Sequence, residues 1–62
     1  MDTFNLFNAN GEWLATCGLT VIQIITGCHH DATKRIVREL ESGAAEVVLY
    51  GNGRGPNFIV RK

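Results

Sequence analysis

Apolar residues recur in short clusters along this chain, and their spacing changes from one cluster to the next. Residues 4–7 (FNLF) and 12–15 (EWLA) are apolar-rich runs separated by Asn8-Ala9-Asn10-Gly11. Asn and Gly tolerate the positive backbone dihedrals of a tight turn, so this stretch predicts a β-hairpin. Its aromatic residues Phe4, Phe7 and Trp13 are expected to pack in the core. Residues 46–50 (EVVLY) and 57–61 (NFIVR) have the β-branched and aromatic content of strands. The glycine-rich residues 51–56 can continue neither, which predicts a second hairpin with a flexible tip.

Between the hairpins the period becomes helical. On a helical wheel Ala32, Thr33, Ile36, Val37 and Leu40 share one side, whereas Lys34, Arg35 and Arg38 fall on the other, flanked by Glu39 and Glu41. Asp31 suits an N-cap and Gly43 a terminator, so a helix is predicted over residues 32–42. Asp31 with Arg35, and Arg35 with Glu39, stand at i,i+4 and could simply solvate that helix as ion pairs. Residues 19–27 (LTVIQIITG) fit neither a strict two-residue nor a clean helical period. Their β-branched content favours a strand. Thr20 as a cap, Gly27 as a left-handed terminator and the nearby second helix favour a short buried helix, which is the preferred assignment with the strand as its alternative.

Sixty-two residues without an internal repeat or linker make one domain, residues 1–62. A chain this short buries only about 60% of its unfolded surface, so low free-standing stability and a homodimer are expected. Two cysteines, Cys17 and Cys28, in a chain without an export signal read as reduced thiols. The segment MDTFNLFNAN has neither a basic start nor a long apolar run, and residues 19–25 are too short to span a bilayer. A soluble cytoplasmic protein with no membrane contact is expected.

Net charge is zero, which argues against indiscriminate coating of nucleic acid. Distribution matters more. All six basic residues (Lys34, Arg35, Arg38, Arg54, Arg61, Lys62) lie in the second half, and the only charges before Asp31 are the acidic Asp2 and Glu12. A cationic helix face followed by a hairpin with Arg54 at its tip is what a small domain would present to a phosphate backbone.

Taken together, an apolar segment ending in Thr26-Gly27-Cys28, a turn through His29 and His30, the run DATKRIVRELESG, and a hairpin with a Gly-Arg-Gly-Pro tip resemble a winged helix-turn-helix over residues 19–61. The resemblance implies an α+β fold, with residues 1–18 as an N-terminal hairpin, 19–43 as the helix-turn-helix and 44–62 as the wing. It further implies that Gly27 makes the turn, Cys28 plugs the core, the 32–42 helix enters the major groove, and residues 51–56 touch backbone or minor groove. The run FNLFNANGEWLATCGLT ahead of the helices is similar to small DNA-binding modules of phage proteins, which implies a phage or mobile-element origin. The chain departs from the winged pattern at Gln23, where a small residue is usual, at Thr33, where an apolar one is, and in having a hairpin where another helix stands.

The expected function is sequence-specific binding of double-stranded DNA, as a small transcriptional regulator or accessory factor. The expected contacts are His29, His30, Thr33, Lys34, Arg35, Arg38, Asn52 and Arg54, with Arg35 or Arg38 reading guanine and Lys34 gripping phosphate. Cys17, Cys28, His29 and His30 have zinc-ligand chemistry but lack a paired knuckle, and three adjacent ligands converge poorly on one tetrahedron, so neither metal nor other cofactor is expected. No catalytic triad, carboxylate pair or phosphate loop stands out, and the chain has little depth for a pocket, so neither an enzyme nor a small-molecule ligand is expected. Two other classes remain at this stage. One is a protein-binding inhibitor or adaptor in which residues 19–26 form a strand and the sheet exposes an edge or an apolar face to a host protein; the other is an RNA or single-stranded nucleic-acid binder stacking bases on Tyr50 or Phe58 beside Arg54.

Overall fold

β1 (Phe4–Asn8) and β2 (Trp13–Cys17) form the first hairpin of the computed structural model, which describes residues 3–50 and 57–62. Asn8 organises the turn, its Oδ1 accepting the amides of both Asn10 and Glu12 at 2.9 Å, and Gly11 takes the positive φ of 84° that the reversal requires. Ala15 stands opposite Leu6 but Trp13 opposite Phe7, so Leu14 is the extra residue of a β-bulge.

α1 (Leu19–Thr26) follows after Gly18 alone, and α2 (His30–Glu41) follows after Gly27, Cys28 and His29. β3 (Val47–Leu49) and β4 (Phe58–Arg61) complete an α+β domain of two helices and one four-stranded antiparallel sheet in the order β2-β1-β4-β3. The two hairpins are therefore one sheet. β4 lies beside β1, with Leu6 opposite Val60 and Phe7 opposite Ile59.

Alternation along the strands explains the packing. Phe4, Leu6, Val47, Leu49 and Val60 are buried on one sheet face, and Ile22 of α1, Cys28, and Ile36 and Leu40 of α2 close over them. Full burial of each Leu, Ile or Val side chain contributes about 1.5–3 kcal/mol before conformational entropy is subtracted. Phe58 packs at the rim of this core, so it is not a free stacking platform. Two of the three aromatics expected inside lie elsewhere. Trp13 is 60% exposed, and Phe7 faces the side of the sheet opposite the core, because Phe4 and Leu6 take the inward positions of β1 and the bulge sets Trp13 across from Phe7.

Residues 19–26 are helical, against the β preference of their side chains. Gly27 ends α1 in the left-handed region at φ 68° and donates its amide to Gln23, while Ile22 anchors the helix in the core. Residues 19–26 therefore add no strand to the sheet, whose edges are β2 and β3. The N-cap of α1 is Gly18, without a side-chain cap, rather than Thr20.

α2 starts earlier than predicted because His29, not Asp31, caps it. The Nδ1 of His29 accepts the Asp31 amide at 3.2 Å, which leaves Asp31 inside the first turn at the positive end of the helix dipole. The helix buries Thr33, Ile36 and Leu40, as its amphipathic pattern requires, and ends at Glu41 with Ser42 as C-cap. Strands β3 and β4 are shorter than the apolar runs that mark them, and the tip expected at residues 51–56 lies outside the described residues. Both cysteines are free. Among the described residues no helix is long and apolar enough to cross a membrane.

Candidate nucleic-acid interface

The outward side of α2 carries His30, Lys34 and Arg38 at i, i+4 and i+8, one continuous stripe of exposed residues along the helix. Among the described residues neither Lys34 nor Arg38 has an ion-pair partner. Both line an open concavity with Leu19, Val37, Glu41 and Ser42. A second concavity shares Leu19, Val37 and Glu41 and adds Phe4, Leu40 and Lys62, which places Lys62 beside the carboxy-terminal turn of α2. Glu41 stands at the stripe's carboxy-terminal end and limits its positive potential there.

Arg35 is not part of this stripe. Its Nη2 donates to the carbonyl of Val48 at 2.6 Å and its Nε pairs with Glu39 at 3.1 Å, so the guanidinium is bound to β3 and to its own helix. The expected pair of Arg35 with Asp31 is not made; Asp31 instead approaches His29 and His30 at 3.4 and 3.3 Å. Thr33, expected at the interface, is buried, and its hydroxyl donates to the His30 carbonyl at 2.7 Å. Arg61 is also engaged, donating to Glu46 Oε1 from Nε at 3.1 Å and from Nη2 at 2.9 Å, with its guanidinium 4.9 Å from the centre of the Phe7 ring. It lies on the sheet face opposite the core. Asn52 and Arg54 fall outside the described residues.

At the amino end of α2 the His29 and His30 rings lie 4.1 Å apart, tilted by 37°, with the Asp31 carboxylate against both. One donor atom from each of the three residues lies within 4.8 Å of the others. The cysteines are not in this group: Cys28 is buried, its Sγ 4.0 Å from the Tyr50 carbonyl. A cation here would compete with the capping bond for Nδ1 of His29 and would sit at the positive end of the helix dipole, which makes the cluster a poor metal site.

The i,i+4 spacing of Ile36 and Leu40 on one side of the helix, and of Lys34 and Arg38 on the other, made the stripe readable in sequence. The engagement of Arg35 was readable only in part. Glu39 at i+4 announces the ion pair, but nothing local announces the Val48 carbonyl. The position of Lys62 beside α2 depends on β4 lying at the centre of the sheet and has no local signal.

The fold and this surface define a small α+β domain with a basic helix face. Compared with protein-family models, curated proteins and solved structures, the chain matches none.

Proposed function

We propose that the protein binds double-stranded DNA through the outward face of α2, as a small regulator or accessory factor of the winged helix-turn-helix type. The observation that carries this is the exposed stripe of His30, Lys34 and Arg38, in which Lys34 and Arg38 have no ion-pair partner among the described residues, on a helix that follows α1 through a tight glycine turn. Lys34 supplies a point charge for phosphate. Arg38, whose guanidinium is free of any carboxylate among the described residues, supplies the planar fork that reads guanine in the major groove. His29 and His30 lie exposed at the amino end of the helix, where each can donate from an imidazole nitrogen to a phosphate beside the Asp31 carboxylate. Arg35 is reassigned from contact to scaffold, and Thr33 to the core.

Three or four cations of this kind, with Arg54 of the 51–56 segment as a further contact, give a modest electrostatic footprint. Binding should then weaken by about 3–4 log units per tenfold rise in salt. The test is gel retardation of short duplexes by wild type and by the double variant Lys34→Glu/Arg38→Glu. Both side chains are exposed, so the circular dichroism spectrum should survive while retardation is lost. Retardation undiminished by the double reversal overturns the assignment.

A further inference from the structure

Every large apolar side chain that the described residues leave exposed, apart from Tyr50, belongs to β2 or α1: Trp13, Leu14, Val21, Ile24 and Ile25. Val21, Ile24 and Ile25 stand at i, i+3 and i+4, which makes one stripe on α1, and Ile24 is 75% exposed. Residues 13–28 contain no Asp, Glu, Lys, Arg or His. β2 is an edge strand, and apart from its bulge at Leu14 it lacks the lysine, proline or inward charge with which a monomeric protein protects such an edge.

We propose that this β2 and α1 side is a dimer interface, occupied by a second copy of the same chain. The choice of occupant rests on charge. A partner bearing ionised groups would have to bury them against a surface that offers no counter-charge, whereas a second copy brings the same uncharged surface. A two-fold axis also sets an edge strand antiparallel to itself, so β2 can continue the sheet into its counterpart. Trp13 lies with Phe7 on the sheet face away from the helices and the α1 stripe lies on the helix-covered side, so pairing of two β2 edges would cover both; together the five side chains expose on the order of 500 Å² per copy. With Thr16 and Thr20 alongside, this approaches the roughly 600–800 Å² per partner of a specific pair. The interface stands independently of the DNA proposal, since none of its residues lies on the α2 stripe.

The experiment is sedimentation equilibrium of the full chain from about 1 to 100 µM, a range that brackets micromolar self-association. Wild type should sediment as a dimer at the upper end, and Ile24→Glu should sediment as a monomer with an unchanged circular dichroism spectrum. If Ile24→Glu misfolds, Val21→Ser decides, with a weakened dimer expected. A wild-type monomer throughout, which would leave the face to a different protein, overturns the proposal. So does a dimer that neither substitution weakens, or growth with concentration past two copies.

Discussion

The Nη2 of Arg35 donates to the carbonyl oxygen of Val48 at 2.6 Å, fastening the middle of α2 to the edge strand β3. The same guanidinium pairs with Glu39 one turn along the helix. Arg35 is thus a tie between helix and sheet. Arg35→Ala should lower stability by about 1–2 kcal/mol, the range for a charged hydrogen bond discounted for partial exposure. Glu39→Gln should cost under about 0.5 kcal/mol, because it removes only a half-exposed ion pair. Urea denaturation of the two variants checks the difference; equal costs would mean that the Val48 bond adds nothing.

Ile36 is fully buried where α2 meets the sheet, in a domain with few other core residues. Ile36→Ala should cost about 2–5 kcal/mol, lost transfer energy plus a cavity. A single small core supplies only about 3–5 kcal/mol in all, so this variant should be largely unfolded at 25 °C. Far-ultraviolet circular dichroism with temperature reports it directly. A cooperative transition at the wild-type midpoint would count against the assigned core.

The inner face of α2 was legible in the sequence because Thr33, Ile36 and Leu40 repeat at helical spacing with charges between them. The first hairpin was legible from its turn residues, and the β3–β4 pair from its β-branched runs. α1 was ambiguous because Val21, Ile22, Ile24 and Ile25 prefer strands, and its helical state depends on the Gly27 terminator and the burial of Ile22. The pairing of β1 with β4 joins the two ends of the chain, and no local pattern encodes a contact of that separation. Trp13 was misplaced for a related reason, since a bulge at Leu14 changes which side of the sheet a residue faces. Of the candidate site, Lys34 and Arg38 followed from the helical period, whereas the loss of Arg35 to a β3 carbonyl followed from tertiary contact alone.

Gly27 holds φ at 68°, and a Cβ built there meets nothing within 4 Å. The cost of Gly27→Ala should therefore come from the left-handed backbone alone, about 1–2 kcal/mol. Gly27→Asn should cost less, because Asn tolerates this region. Thermal denaturation of the pair distinguishes the backbone explanation from a packing one, under which the larger Asn would be the worse substitution.

His29 has two separable roles, as the N-cap of α2 and as a candidate phosphate contact. The cap needs only a short acceptor for the Asp31 amide, now provided by Nδ1 at 3.2 Å. Ser can provide one and Ala cannot. His29→Ala should thus destabilise the domain by about 0.5–2 kcal/mol, while His29→Ser should stay near wild type. Neither replacement retains an imidazole, so under the DNA proposal both should weaken duplex binding to a similar degree at temperatures where both are folded. Stability that divides the two variants while affinity does not is the expected outcome of denaturation and gel retardation on the same samples. If affinity instead follows stability, with His29→Ser binding as wild type does, His29 acts on DNA only by ordering the first turn of α2.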